Sequence, residues 1–197
     1  MPKGIALTEE SQTCRRNQIF EAAIHLFIEQ GFLETSMREI AQAAGMGKST
    51  LYDYFKTKDD ILVFYFEAGL KEMTQSAKTI CQKDIPANEK IRQIMLAHLE
   101  YLLANKKDFL KLSLEVQRLN MESQLRLQAS RHAYQDVLCK LVEAGIAEGS
   151  FRQVDPLMAM RMILSALTPV IFTTRPTGTP QDMLATALDI LFRGIKV

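Results

Sequence analysis

The sequence predicts an all-α protein with two helical domains. Gly and Pro are sparse, at 9 and 6 of 197 residues, and Trp is absent. Few turn residues favour long helices over many short strands. Apolar residues recur at helical spacing along most of the chain, and no strand pattern is visible. Hydrophobic residues make up 47 % and charged residues 24 %, which is typical of a globular protein with a sizeable core.

Composition and cysteine spacing predict a cytoplasmic protein without a metal or a cofactor. Its three cysteines, Cys14, Cys81 and Cys139, are far apart, which fits unpaired thiols in a reducing compartment. A thiol redox sensor is the alternative interpretation of these residues. The most apolar stretch, 157–172, is interrupted by Arg161 and is too short to span a bilayer comfortably. The first residues lack the apolar run of a signal peptide, so we expect no membrane partner.

Helix boundaries follow from caps, prolines and glycines. Ser36 and Glu39 form the S-x-x-E capping box, and Asp155 precedes a proline at the first helical position. Glycines end several of the periodic segments. The predicted helices run over 15–30, 36–44, 47–55, 57–81, 89–104, 108–119, 121–148, 155–172 and 180–194. We expect a first domain over residues 10–57 and a second over 58–197.

The most informative segment is 35–55, where a tight turn joins two short helices. A steep crossing requires a small residue where the helices touch, and Ala41 supplies it. The turn requires a residue that tolerates positive φ, and Gly45 supplies it. The small core between the helices would be filled by Ile40, Ala44, Met46, Leu51 and Tyr54. These features predict a helix-turn-helix.

The second helix of this segment leaves a polar surface. After its apolar residues turn inward, it displays hydrogen-bond donors at Lys48, Ser49, Thr50 and Tyr52. Such a surface suits the major groove of DNA, where donors meet base edges and phosphates. An ordinary helical hairpin in a larger bundle is the alternative. The charge balance does not support DNA binding, because residues 1–61 contain 7 basic and 9 acidic side chains.

A set of short motifs extends across residues 15–62. They comprise Ala22-Ala23, Leu26-Phe27, Gly31-Phe32, Thr35-Ser36, Ile40-Ala41, Ala44-Gly45, Thr50-Leu51-Tyr52, Tyr54-Phe55 and Lys58. Together they resemble the DNA-binding domain of the tetracycline-repressor-like (TetR/AcrR) family. The later part of the chain resembles the family in helical layout and in the G-x-x-x-G-x-F run at 145–151. The resemblance implies an N-terminal three-helix helix-turn-helix domain and a C-terminal helical bundle for effector binding and dimerisation.

The function implied by the resemblance is sequence-specific regulation of transcription, without enzymatic activity. Such a regulator is a repressor that leaves a palindromic operator when a small-molecule effector binds. By the resemblance, Arg38 reaches a guanine edge, and Lys48 and Ser49 read bases. The residues that the resemblance assigns to phosphates are Thr35, Ser36, Thr50, Tyr52, Tyr54 and Lys58.

Two departures from the family pattern concern the reading helix. Gly47 and Ser49 exchange the Ser and Gly that usually flank the lysine at Lys48. Asp53 lies where a basic or aromatic residue is common, so we expect it to point away from phosphate or to accept from a cytosine amine. The operator sequence therefore cannot be carried over from relatives.

The second domain is expected to form a homodimer and to hold the effector. The helix from Asp155 is apolar on most sides and must be buried on two of them. The resemblance implies that the last two helices pair with those of a second copy; burial within one subunit is the alternative. The expected effector pocket is lined by Met95, His98, Leu99, Tyr101, Leu102, Phe109, Leu112, Val116, Met121, Leu125, Tyr134 and Leu138. Glu115 and Arg118 are further polar candidates, and an ordinary core or surface role is the alternative for each residue.

Two other functional classes compete with a DNA-binding regulator. An enzyme is disfavoured because the sequence contains no P-loop, G-x-S-x-G, H-E-x-x-H or G-x-G-x-x-G motif, and its three histidines are isolated. A helical adaptor that binds proteins and not DNA is favoured only by the acidic N-terminal balance and by Asp53. An activator in place of a repressor also remains open.

Overall fold

The computed structural model describes residues 8–195, and these residues are almost entirely helical. The helices are α1 (Glu9–Glu29), α2 (Met37–Ala43), α3 (Lys48–Tyr54), α4 (Lys58–Cys81), α5 (Ala87–Ala104), α6 (Lys106–Ser113), α7 (Met121–Ala147), α8 (Pro156–Ser165), α9 (Thr168–Ile171) and α10 (Pro180–Ile195). A 3₁₀ turn covers Glu115–Arg118. No strand occurs within residues 8–195, so the predicted all-α class is confirmed. In the same range, none of the helices combines the length and apolar character that crossing a membrane requires.

Local signals predicted several helix ends correctly. Ser36 and Glu39 form both hydrogen bonds of a capping box at the start of α2. The Asp155 side chain accepts from the backbone N–H of Met158, 2.9 Å away, and Pro156 follows at the first helical position. Gly45 has a φ of +65°, as the turn after α2 requires.

Most predicted helix bounds agree with the structure within two residues, and three helices differ by more. Helix α1 begins six residues early, because Thr8 caps it by accepting from the N–H of Ser11. The segment predicted as 155–172 is two helices, α8 and α9, because Pro169 lacks an N–H and cannot continue a helix. Helix α6 ends at Ser113, whose hydroxyl donates to the Leu110 carbonyl that the next helical turn would use.

The chain divides into two compact units whose limits differ from the predicted domains. Among the described residues, the first unit contains 8–67 and 110–127, and the second contains 68–109 and 128–195. The sequence predicts a boundary at 57/58. The first unit extends beyond it because Ile61, Leu62, Val63, Leu112 and Leu119 are buried in its hydrophobic cluster. A segment distant in sequence therefore completes the core of the helix-turn-helix.

Polar contacts also join residues 110–127 to the rest of the first unit. The Asp59 carboxylate accepts from the backbone N–H and the side-chain amide of Asn120, at 2.9 and 2.8 Å. Arg126 pairs with Asp60 and with Glu67, each at 3.1 Å. These pairs are partly exposed, so most of the stability of this segment comes from its buried leucines.

The second unit contains a close contact between helix α7 and an aromatic pair. The rings of Phe151 and Phe192 are stacked with centroids 6.1 Å apart, and both side chains are buried. Phe151 lies directly against Gly145 of α7, where a Cβ would be 2.4 Å from the Phe151 ring. A side chain larger than hydrogen therefore cannot occupy position 145 without displacing Phe151.

Gly145→Ala is expected to lower the free energy of unfolding by about 1–3 kcal/mol, because overpacking forces the ring of Phe151 out of its place. Gly194→Ala is the matched control, since a Cβ there meets nothing within 4 Å. Chemical denaturation with circular dichroism measures both variants. If Gly145→Ala is as stable as Gly194→Ala, the described packing of α7 against Phe151 is incorrect.

Candidate DNA-binding site

Helices α2 and α3 form the predicted helix-turn-helix. Gly45 donates to the carbonyl of Gln42, and Met46 donates to that of Ala41, so the turn satisfies the carbonyls at the end of α2. Ile40, Ala41 and Leu51 are buried between the helices. The bend that the sequence predicts around residues 41–45 is therefore present, and the outward face of α3 lies in the open.

The outward face of α3 carries the polar residues that the sequence predicts as base readers. Lys48 and Ser49 are exposed, and Thr50 and Tyr52 are partly exposed. The Lys48 ammonium lies 5.7 Å from the centroid of the Tyr52 ring, which pairs a cation with an aromatic face. Asp53 is exposed as well and has no ion pair or hydrogen bond within the described chain.

Arg38 and Tyr54 flank this face in different ways. Arg38 lies in the first turn of α2 and is exposed, with no ion pair among residues 8–195, so its guanidinium is available to a ligand. Tyr54 is partly buried and packs against the hydrophobic cluster of the first unit. A phosphate contact by Tyr54 would therefore use its hydroxyl while the ring stays packed.

Two residues predicted as phosphate contacts serve the protein's own backbone. The Thr35 side chain is 2 % exposed, and its hydroxyl donates to the Gly31 carbonyl at 2.7 Å. The Ser36 hydroxyl accepts from the backbone N–H of Glu39 at 3.3 Å and donates to the Glu39 carboxylate at 2.7 Å. Hydrogen bonds from the Ser36 side chain and backbone lower the pKa of Glu39, which keeps it negatively charged. We therefore do not retain the Thr35 and Ser36 side chains as phosphate contacts.

Lys58, also predicted to hold a phosphate, is occupied within the protein. Its ammonium donates to the carbonyls of Phe32, Leu33 and Thr35 at 2.7, 2.9 and 3.2 Å. It also lies 4.8 Å from the centroid of the Phe32 ring. An ammonium has three N–H donors, and all three are in use. Lys58 thus fixes the turn between α1 and α2 to the start of α4, and we do not retain it as a phosphate contact.

Two cations beside α3 were missed by the sequence analysis. The Arg16 guanidinium lies 4.3 Å from the ring centroid of Phe64 and 5.2 Å from that of Phe55. The Lys56 ammonium donates to the Tyr52 carbonyl at 2.6 Å, at the end of α3. A basic residue just after a helix is a recognisable signal for the second. Nothing local in the sequence indicates that Arg16 lies over these rings.

Comparison with known families decides the identity of this fold. Residues 19–63 match the bacterial regulatory proteins of the tetR family, and residues 84–195 match the tetracyclin repressor-like C-terminal domain. The second match covers more than half of the chain. The chain belongs to the TetR family. It is thus a DNA-binding transcriptional regulator, as the helix-turn-helix indicated.

Relatives and solved structures agree with the TetR assignment. The chain is 25 % identical over 182 residues to the fatty acid metabolism regulator protein of Bacillus subtilis, covering 90 % of this chain and 94 % of that protein. It is 30 % identical to the TetR-family regulator PfmR of Thermus thermophilus, with a TM-score of 0.72, covering 89 % of this chain and 97 % of PfmR. FadR of Bacillus subtilis, solved with stearoyl-CoA, is 24 % identical with a TM-score of 0.77, covering 91 % and 98 %.

The structure does not place all predicted effector residues of this TetR-family chain in one unit. Those in the second unit are Met95, His98, Leu99, Tyr101, Leu102, Phe109, Tyr134 and Leu138. Leu112 is buried in the cluster of the first unit, and Val116 packs against that cluster. Met121 and Leu125 belong to the same unit and are 70 % and 56 % exposed. An apolar helix face has the same sequence pattern whether it packs in the first unit or in the second. The sequence therefore could not show which of these residues belong to which unit.

The two additional polar candidates also belong to the first unit. Arg118 donates to the Glu115 carboxylate at 2.8 Å across one turn of the 3₁₀ segment. The two side chains therefore pair with each other, and both lie outside the second unit. We therefore do not retain Glu115 or Arg118 as groups that orient an effector.

Lys58→Ala is expected to lower the free energy of unfolding by about 1–3 kcal/mol, because three backbone carbonyls lose a charged donor. Operator affinity should fall for all sequences, while the slope of log affinity against log salt stays unchanged, since no phosphate contact is removed. Lys48→Ala is the control for stability and should stay within about 0.5 kcal/mol of the original protein. If Lys58→Ala is as stable as the original protein and its salt slope is lower, Lys58 contacts a DNA phosphate after all.

Proposed function

We propose that this regulator is a homodimeric repressor that binds a palindromic operator and leaves it when an apolar small molecule binds the second unit. The observation that carries the proposal is the exposed polar face of α3, together with the exposed Arg38 on α2. A face of this kind, held outward by a buried apolar side, suits insertion into the major groove. Retained as DNA contacts are Arg38, Lys48, Ser49, Thr50, Tyr52 and Tyr54.

Direct reading of bases is assigned to Arg38, Lys48 and Ser49. Arg and Lys donate to the O6 and N7 acceptors of guanine, and a serine hydroxyl both donates and accepts. The remaining residues, Thr50, Tyr52 and Tyr54, are assigned to phosphates, which set the register but carry no sequence information. Asp53 is compatible with this arrangement only beside a cytosine amine or away from the phosphate backbone.

Dimerisation is proposed through helices α8 and α10. Large apolar side chains are exposed on this part of the second unit, namely Leu157, Met158, Met162, Phe172 and Ile190 at 44, 53, 50, 57 and 66 %. Met158, Met162 and Ile190 line an apolar groove of about 330 Å³ between the two helices. Contiguous exposed apolar surface of this kind marks an interaction site, and a two-fold pair of copies would cover it. A two-fold dimer reads a palindrome whose half-sites lie roughly 34–36 Å apart.

Release by an effector is proposed from the relatives. One relative is named for the regulation of fatty acid metabolism, and one structural neighbour was solved with stearoyl-CoA. A further relative, from Rhodococcus jostii, is the transcriptional repressor KstR2, 23 % identical over 167 residues and covering 84 % of this chain and 82 % of that protein. An effector that favours the operator-free form needs a coupling of only about 1–3 kcal/mol to weaken operator binding roughly 5–150-fold.

Selection of bound duplexes from a random pool, at stated salt, tests the DNA-binding part. We expect enrichment of a palindrome, and Lys48→Ala should relax the base preference at one position in each half-site by about 1–3 kcal/mol. Lys83→Ala is the matched control, because Lys83 lies in the second unit, where its ammonium donates to Gln93. Failure of the original protein to enrich any sequence would favour the adaptor hypothesis.

Met162→Glu tests the dimer, because a carboxylate in the apolar groove would be buried without a partner when two copies associate. Sedimentation velocity should show a dimer for the original protein and a monomer for Met162→Glu. Met121→Glu is the control, since Met121 is also largely exposed but lies in the first unit. If both variants remain dimeric, another surface joins the copies.

A further inference from the structure

Three polar aromatic side chains lie on helices α5 and α7 within the second unit. His98 and Tyr101 share one face of α5, since they are three residues apart. The Tyr134 hydroxyl of α7 lies 3.1 Å from Nδ1 of His98, and the two rings meet edge to face with centroids 5.3 Å apart. Tyr134 is 3 % exposed and His98 is partly buried, so water has little access to this hydrogen bond.

The protonation of this pair follows from its burial. Burial lowers the pKa of His98 to about 4 and raises the pKa of Tyr134 above its ordinary value. At neutral pH the phenol therefore keeps its proton and the imidazole is uncharged. The Tyr134 O–H is buried and has no other acceptor among residues 8–195, so we assign the phenol as the donor to Nδ1. This assignment places the single imidazole proton on Nε2.

The N–H at Nε2 of His98 can donate a hydrogen bond to a ligand. Within residues 8–195 it has no hydrogen-bond partner, and it is not fully enclosed by protein atoms. A neutral N–H in apolar surroundings gains most from an acceptor oxygen supplied by a ligand. The surrounding helices supply apolar side chains, since Met95, Leu99 and Leu138 are completely buried.

The charges near this cluster disfavour an anionic ligand group. Tyr101 packs against α4 at Gly69, where a Cβ would be 2.1 Å from the Tyr101 hydroxyl oxygen. Burial and, to a smaller extent, the negative charge of Glu72 raise the pKa of Tyr101, so this phenol also stays uncharged. The basic residue closest in sequence on α5, Arg92, is engaged by Asp189 and the ring of Phe192. An anionic group would therefore meet an uncharged imidazole N–H, and burying its charge there without a charged partner would cost free energy.

We propose that His98 Nε2 donates a hydrogen bond to an uncharged carbonyl oxygen of the effector, with Tyr134 as the positioning residue that orients the imidazole. The effector class is then an apolar molecule that carries a neutral ketone, ester or thioester, and not a free carboxylic acid. This inference rests on the proposed effector-responsive function and specifies the chemistry of that response.

Matched probes test the carbonyl requirement. The linear set is methyl laurate, laurate and dodecane, and the cyclic set is cyclododecanone, cyclododecanecarboxylate and cyclododecane. Isothermal titration calorimetry should show that the neutral carbonyl member of at least one set binds about tenfold more tightly than its acid and its hydrocarbon. The same member should release a fluorescent operator, measured by anisotropy. The ¹⁵N shift of His98 Nε2 should move with that member alone.

Variants separate the hydrogen bond from general packing. His98→Phe should bind the carbonyl member only as well as its hydrocarbon, and Tyr134→Phe should lose part of the preference while His98 remains. His132→Phe is the control, because His132 is an exposed histidine on the same helix as Tyr134. If His98→Phe does not fold, the tautomer and the Nε2 shift in the original protein decide the question.

The outcomes separate this inference from the proposed function. Equal binding of carbonyl, acid and hydrocarbon members, or an unchanged preference in His98→Phe, overturns the role of His98. A protein that binds its operator but none of the probes also overturns it, while leaving the DNA-binding function intact. If the protein binds carbonyl probes through His98 but enriches no operator sequence, the proposed repressor function is wrong. The proposed role of His98 in ligand binding then still holds.

Discussion

The base of the helix-turn-helix depends on one partly buried ammonium. Lys58, at the start of α4, donates to three backbone carbonyls of the turn between α1 and α2. These hydrogen bonds hold the turn that leads into the helix-turn-helix. A charged donor with all its protons satisfied is stronger than a neutral one and fixes geometry as well. The outward face of α3 can then present Lys48 and Ser49 without further support, because Leu51 and Phe55 anchor its inner side.

The first unit is more than an N-terminal domain. Leu112 and Leu119 complete its core, and Asn120 and Arg126 bind carboxylates at Asp59, Asp60 and Glu67. Helices α4, α6 and α7 each contribute residues to both units. Each limit between the two units therefore falls inside a helix and not in a loop.

The part of the site that could be predicted is the part built from local signals. The capping box of Ser36 and Glu39 predicts the start of α2, and Gly45 predicts its end. Lys48 and Ser49 follow directly and can be placed on an outward face by helical periodicity. The resemblance predicts phosphate contacts for Thr35 and Lys58, but both side chains donate to backbone carbonyls of the turn between α1 and α2. Residue type alone does not reveal whether a donor faces solvent or its own chain.

The sequence by itself determined the helical class, the turn between α2 and α3 and the family of the chain, because these depend on residues within a few positions of one another. Tertiary structure alone decided that Lys58 reaches Phe32, 26 positions away, and that His98 meets Tyr134 across 36 positions. It also decided that Leu112 enters the first unit. Helical periodicity marks which residues are buried, but the packing of one helix on another determines what they are buried against.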